Sequence, residues 1–250
     1  MILYKEFANL YAKGPYSFSE RLVKYLPKVF NRFRIQPKKV LDLCCGDGRF
    51  VIAMVRKGID VTGVDASPHM LKYASQRARK ARVKVQLAVQ KMQHLNTQTR
   101  FDLVTCWFDS INYLLTKSDL DKTFRNINRV LNNGGIFIFD INTIYGLSVN
   151  WQDNSPCVLQ DTDRLFEVHI CPPNFKRNIA TLKIVGFIRQ GRYWRRIEEV
   201  HQERGYRLKE IRKSFRKAHF IELGCWESLK TMKKPKRDSG KVFFILRKIH

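Results

Sequence analysis

Residues 40–65 constrain this chain more than any other segment. Val40-Leu41-Asp42-Leu43 is a short apolar run with one acid inside it, and Cys44-Cys45-Gly46-Asp47-Gly48 is a glycine-bearing turn. From Arg49 onward Phe50, Val51, Met54 and Val55 share one face of an amphipathic helix, and Val61-Thr62-Gly63-Val64-Asp65 is a second apolar run ending in an acid. The order strand, turn, helix, strand is one β-α-β unit, whose two strands lie parallel in a sheet. Gly46 and Gly48 let the backbone turn tightly and approach a ligand with no Cβ in the way. Asp65 arrives where a carboxylate accepts hydrogen bonds from a ribose. The unit reads as an adenosine site.

The spacing says which kind of adenosine compound. A dinucleotide loop needs small residues as G-x-G-x-x-G, with a helix N-terminus facing pyrophosphate. Here Val51 stands at the third position, and Asp42 and Asp47 stand before and within the turn. Two carboxylates so close repel a pyrophosphate and suit a ligand carrying an ammonium group.

The rest of the chain supplies a scaffold for that unit. Ser17 or Ser19 is expected to cap a helix reaching about Phe33, with Leu22, Tyr25, Leu26 and Val29 at helical spacing and Pro37 ending the segment. Ser67-Pro68 is an N-cap followed by proline at the first helical position. Ser118 with Asp119 and Asp121 opens a further helix facing inward through Leu120, Phe124, Ile127 and Leu131, and Asn133-Gly134-Gly135 ends it. Strand and helix alternate as far as Ile141, which favours α/β architecture, a parallel sheet with helices on both faces. After Thr143 the pattern changes. Residues 157–170, 178–190 and 193–202 are β-rich, separated by Pro172-Pro173-Asn174 and Gln190-Gly191-Arg192, and look like an antiparallel insertion. A helix then resumes over Tyr206–His219, followed by strands near Phe220–Trp226 and Val242–Leu246.

At 250 residues and 44% hydrophobic content the chain can bury a full core. No apolar run approaches a membrane span, and the first residues lack the basic-then-apolar organisation of a secretory signal, so a cytoplasmic protein with no membrane partner is expected. The six cysteines include no C-x-x-C pair and read as reduced core thiols, and no metal centre is expected. The unusual property is charge. Lys and Arg number 47 against 22 Asp and Glu, a net +25, concentrated locally at Arg77–Lys84, at Arg192 with Arg195-Arg196, and at Lys233–Arg237. Such a balance suits an acidic or nucleic-acid partner, although solvated helix and loop faces are the plainer reading, because charge alone does not define a site.

Leu41-Asp42-Leu43-Cys44-Cys45-Gly46-Asp47-Gly48 resembles the nucleotide loop of class I S-adenosylmethionine (SAM)-dependent methyltransferases. Val64–Leu71, Phe101–Cys106, Asp109–Leu114 and Leu131–Asp140 follow in that family's order, and with Phe7–Tyr11 they are similar to the small-molecule branch containing the aminosugar N-methyltransferases. The resemblance implies a Rossmann-like, mostly parallel seven-stranded sheet with an antiparallel β insertion after the fifth strand. It implies a helical cap over 1–36, a SAM-binding domain over 37–143 and 204–250, and an insertion over 144–203 covering the active site. SAM is the implied cofactor and a small molecule, acidic ones included, the implied acceptor.

The same resemblance assigns Asp42, Cys44, Gly46, Gly48, Asp65, Ala66, Met70, Lys91, Met92 and Phe108 to the cofactor, with Asp42 at the methionine amino group. Asp109, Tyr11 and His201 become catalytic candidates, and Tyr16, Asn112 and Tyr113 substrate-binding ones. Each has a plainer reading: Asp109–Tyr113 a capping turn, Tyr11 and Tyr16 core packing, His201 an exposed strand histidine. Two residues depart from the family pattern. Cys44 replaces the loop's first glycine and is tolerable only if its backbone is not glycine-specific. Lys91 stands where an Asp accepts the adenine amino group; lysine has no acceptor, and Gln90 or Gln93 could substitute. One lost hydrogen bond costs about 1 kcal/mol, roughly fivefold in affinity.

Methyl transfer from a sulfonium is an in-line displacement in which charge disappears, so a protein mainly positions the partners, excludes water and accepts a proton. Methyl transfer to nitrogen or oxygen of a small molecule is the reading these residues favour. A nucleic-acid methyltransferase using the basic surface, or a catalytically silent basic binding protein on this fold, are the alternatives.

Overall fold

The computed structural model describes residues 4–249. Three short helices open the chain, α1 (Phe7–Lys13), α2 (Phe18–Leu22) and α3 (Leu26–Phe33). The single capped helix expected up to Phe33 is therefore broken, and Ser17 precedes α2 without a side-chain capping bond. The apolar positions hold. Leu22, Leu26 and Val29 are all buried.

The alternating segment follows as β1 (Lys39–Leu43), α4 (Arg49–Val55), β2 (Asp60–Asp65), α5 (Pro68–Ala81), β3 (Gln86–Val89), β4 (Phe101–Cys106), α6 (Lys117–Val130) and β5 (Leu131–Asn142). Ser67 Oγ accepts the Met70 amide at 3.3 Å, so α5 starts where its serine-proline signal stands. The cap of α6 is Thr116 rather than Ser118, its hydroxyl accepting the Asp119 amide at 3.1 Å. The helix also stops earlier than expected. Leu131 already pairs with Phe101, and the asparagine-glycine stretch bulges out before Leu103 pairs with Ile136.

After a helical turn that includes α7 (Trp151–Asp153) come β6 (Cys157–Asp161), β7 (Leu165–Ile170), β8 (Ile179–Gln190) and β9 (Tyr193–Arg204), then α8 (Leu208–Lys217), β10 (Phe220–Trp226) and β11 (Lys241–Lys248). The main sheet has the order β10-β11-β5-β4-β1-β2-β3, antiparallel only at β11. Its apolar residues sort by strand parity. Leu41, Leu43, Val104 and Phe137 pack with Phe124 of α6 and Phe215 of α8, whereas Val40, Leu103 and Ile138 pack with Phe50 of α4 and Ala74 of α5. The sheet thus carries helices on both faces.

The second sheet, β6-β7-β8-β9, is wholly antiparallel and lies after the fifth strand of the main sheet. One of its faces carries Ile184, Ile188 and Ile197 against Phe7, Leu10 and Tyr16, a separate small core. Gly186 permits this contact, since a Cβ there would meet the Leu10 side chain at 2.7 Å. No helix among the described residues is long and apolar enough to cross a membrane.

Candidate active site

The strand order reverses between β1 and β4, and loops leaving the carboxyl ends of strands at such a switch point form the crevice of an open α/β sheet. The candidate residues cluster on those loops. Cys44–Gly48 follow β1, Ala66 follows β2, Lys91 and Met92 follow β3, and Trp107–Tyr113 follow β4.

In the first loop Gly46 and Gly48 have φ of 56° and 76°, and a Cβ on Gly46 would come within 3.2 Å of the Met70 methyl. Cys44 also has a positive φ, 60°. The condition set by its sequence is not met: the cysteine occupies a left-handed conformation that favours glycine. Asp65 accepts the Gly46 amide at 2.9 Å and the Ser67 amide at 2.8 Å, which ties β2 to the loop. Asp42 is buried and accepts the Thr105 hydroxyl at 2.7 Å; burial pushes its carboxyl up to about 8, against that hydrogen bond.

Asp47 does not serve as a second free carboxylate for a ligand's ammonium. It is buried between Arg49 at 2.9 Å and Arg77 at 2.7 Å, and both guanidinium groups also donate to the Ala12 carbonyl at the end of α1. Its charge is used to hold the N-terminal helix down. Ala66 and Lys91 are exposed, while Met70 and Met92 are buried. Of the two glutamines considered as adenine acceptors, Gln90 is already engaged, accepting the Asn96 amide at 2.7 Å and donating to its carbonyl at 3.1 Å. Gln93 is the one left.

After β4, Phe108 and Asp109 take left-handed φ values of 57° and 53° in succession. Two consecutive amides in such a turn make an anion-binding nest. Its occupant is the buried Asp140 carboxylate, which receives the Phe108 amide at 2.7 Å and the Asp109 amide at 2.9 Å. Lys241 of β11 bridges Asp109 at 2.8 Å and Asp140 at 2.7 Å, and these two acids hold its ammonium above the ordinary lysine range despite partial burial. Asn142 donates to both Asp109 at 2.6 Å and Glu203 at 3.0 Å. Burial, reinforced by Asp109, keeps Glu203 well above the usual carboxylate range. Lys241, Asp140 and Glu203 were invisible as site residues in the sequence; a lone lysine beginning an apolar strand was the only signal. Asn112 braces the same loops, donating at 2.9 Å to the carbonyls of Asn142 and Arg204 and accepting the Asn142 amide at 3.0 Å. The structure gives its amide a bracing role.

The inner face of the second sheet and the N-terminal segment packed on it supply the remaining candidates. His201 is not exposed, as its position beside Glu199 and Glu203 suggested, but 1% exposed. Its Nε2 lies 3.2 Å from Glu199 and its Nδ1 2.9 Å from the Tyr113 hydroxyl, which lies 3.1 Å from that of Tyr4. A carboxylate can only accept, so with the imidazole neutral Nε2 carries the proton and the Tyr113 hydroxyl donates to Nδ1. Glu199 also accepts the amides of Tyr4 at 2.9 Å, Glu6 at 2.6 Å and Phe7 at 2.9 Å. Burial lifts its carboxyl, but the bonds from His201, Phe7 and Glu6 outweigh burial and hold it below the usual range. Tyr11 and Tyr16 stack at 4.2 Å and 11°, and the Tyr16 hydroxyl donates to the fully buried Glu167, which also contacts His169 at 2.7 Å. Phe108 stacks on Phe18 at 5.2 Å. The structure therefore gathers Tyr113, His201 and Tyr4 into one group and Asp109 into an adjoining one.

The first loop fits SAM in its paired left-handed glycines, strand-end carboxylate and buried acid. Residues 40–135 match the methyltransferase domain family. A Geobacillus sp. (strain WCH70) protein named as a methyltransferase is 29% identical over 98% of this chain and 99% of its own length. The crystal structure of a SAM-dependent methyltransferase from Clostridium acetobutylicum superposes with a TM-score of 0.86 at 28% identity, covering 99% of each chain. The sugar N-methyltransferase KedS8 from Streptoalloteichus shares the fold, with a TM-score of 0.76 at 17% identity over 97% of this chain and 92% of its own. The loop, the sheet and these likenesses agree that this chain is a class I SAM-dependent methyltransferase.

Proposed function

We propose that the enzyme transfers the methyl group to a nitrogen or oxygen of a small-molecule acceptor held between α1, the loop after β4 and the inner face of the second sheet. The observation that carries this reading is the line Tyr113–His201–Glu199 beneath the N-terminal segment. In this reading residues 1–36 and 144–203 cap and cover the site, and Asp42, the Cys44–Gly48 loop, Asp65, Ala66, Met70, Met92 and Phe108 hold the cofactor. Bound SAM supplies an electrophilic methyl on a sulfonium.

The chain's own residues take the proton that the acceptor must lose. The acceptor's N–H or O–H proton passes to the Tyr113 oxygen as the Tyr113 proton moves to His201 Nδ1, and Glu199 stabilises the imidazolium that results. Asp109, fixed by Lys241 and Asn142, positions the loop and the acceptor rather than taking the proton. Tyr11 and Tyr16 form an aromatic wall, and the clamped helix α1 excludes water. A buried, roofed position of this kind admits a small molecule more readily than a folded polymer. KedS8, which shares this fold, is a sugar N-methyltransferase, and that supports the same class.

The test incubates the small-molecule and macromolecular fractions of a cell extract with methyl-labelled SAM and reads both by mass spectrometry. Label should enter a small molecule. Tyr113→Phe and His201→Ala should each lower turnover by about 10²-fold, the scale of general base catalysis, with SAM affinity unchanged. Label confined to RNA or protein would overturn the proposal.

A further inference from the structure

We infer that the tip of the β8–β9 hairpin is a docking surface for single-stranded nucleic acid. Residues 189–196 read Arg189-Gln190-Gly191-Arg192-Tyr193-Trp194-Arg195-Arg196, with four arginines, no lysine and no acid. Tyr193 is 79% exposed and Trp194 45%. Two large aromatic side chains exposed at successive positions among four arginines are the combination that stacks bases and grips phosphate. Of the three basic concentrations in the sequence, the hairpin alone carries exposed aromatic residues among the described residues.

The arrangement suits planar bases joined by phosphates. Gln190 pairs with Tyr193 and Arg189 with Trp194, so the two aromatic rings stand on opposite faces of the hairpin. Trp194 shares its face with Arg189 and with Arg196, which lies opposite Phe187. Phe187 neighbours Phe166 at 6.2 Å on the next strand, so an aromatic row continues inward from the tip. Bases stack on such rings with little regard to sequence, and arginine both stacks and grips phosphate in a fork. Arg192 has no hydrogen bond or ion pair among the described residues, whereas Arg195 pairs with Glu6 and Arg196 with Glu198. Beside the tip an open hollow of about 680 Å³ is lined by Lys13, Arg164 and Arg189 with a single acid, Asp163. It lies away from the SAM loop.

Two other occupants fit less well. A membrane-inserting tip needs an apolar apex with its aromatic residues on one side, and here the apex is Gln190-Gly191-Arg192 with the rings facing apart. A second copy would bring another chain of net charge +25 against an arginine-rich edge. From Tyr193 to His201 is eight residues along β9, roughly 26 Å at strand rise, so the tip acts apart from methyl transfer and does not depend on the acceptor proposed above.

Fluorescence anisotropy of the full chain with a labelled single-stranded RNA of about 12 nucleotides, a length that spans a stacking groove, tests the inference. Tyr193→Ala/Trp194→Ala should weaken binding at least about tenfold while leaving the salt dependence nearly unchanged, because rings rather than charges are lost. Trp194→Phe should restore part of the affinity. Arg192→Ala/Arg196→Ala should flatten the salt dependence, and Lys233→Ala/Lys234→Ala, which removes the same charge elsewhere, should do much less. Thermal melting and SAM calorimetry of each variant establish that the fold is intact. RNA binding that ignores the aromatic pair, or falls equally with either charge pair, overturns the inference. So does tip-dependent binding to phosphatidylserine vesicles, or tip-dependent self-association in light scattering, in the absence of RNA binding.

Discussion

The two sides of the proposed active site are built by opposite means. The cofactor side is local: β1, the glycine loop, α4, β2 and the cap of α5 supply Asp42, Gly46, Gly48, Asp65 and Ser67 from one continuous stretch. The acceptor side is assembled at a distance. Tyr4, Tyr113, Glu199 and His201 come from three parts of the chain, as do Asp109, Asp140 and Lys241. A local site is held by backbone geometry and survives the loss of one side chain. A site made of buried charges from distant strands depends on every partner, because each polar group left alone there bears its full desolvation cost.

The sharpest way to break the contrast is Lys241→Ala. It strands Asp109 and Asp140 together without a cation, and removing one partner of a buried ion pair costs about 3–5 kcal/mol. Urea unfolding should show a loss of that size. A change below about 1 kcal/mol, the worth of an exposed pair, would mean the acceptor side is no more interdependent than a surface.

Asp42→Asn probes the cofactor side with an intermediate effect. If Asp42 meets the amino group of SAM, the variant should bind SAM about 1.5–3 kcal/mol more weakly, the range for hydrogen bonds to charged groups. The ligand-free carboxyl is raised to about 8 from 3.8, so the folded chain retains a proton that the unfolded chain releases between those values. Stability therefore falls as pH rises through that window. SAM affinity should rise over the same approach to pH 8, since an ammonium favours the ionised carboxylate. Calorimetry and thermal melts from pH 6 to 9 should show both slopes in the native protein and neither in the variant.

The smallest effect belongs to the loop itself. Cys44→Gly relieves a left-handed cysteine, worth about 1–2 kcal/mol, less the entropy that glycine adds to the unfolded chain. A gain of about 0.5–1 kcal/mol in chemical unfolding is expected, with SAM affinity preserved. A loss of stability would show that the thiol's contacts at the base of the loop outweigh the strain.

How much of this was legible in the sequence follows from the same division. The β-α-β unit could be read because its signals are adjacent in the chain: strand parity, glycine spacing, a serine-proline cap. The antiparallel strands could be read from their composition and turns, but not what their inner face meets. His201 reads as an exposed strand residue when only its neighbours Glu199 and Glu203 are seen, and becomes buried because Tyr4 and Tyr113 close on it. Asp47 reads as a ligand carboxylate until Arg77, thirty residues on, neutralises it. Cap positions also moved, Thr116 for Ser118, because both residues carry a suitable hydroxyl and only the packed helix selects between them.

The sequence by itself determined the sheet, its helices and the family of the fold, since these depend on periodicity and on residues a few positions apart. The tertiary structure alone decided which acids are free and which are paired, which histidine is buried, and that Lys241 belongs beside Asp109 and Asp140. Charge pairing and desolvation act through space over a few ångströms, and chain distance carries no record of which groups folding brings within that reach.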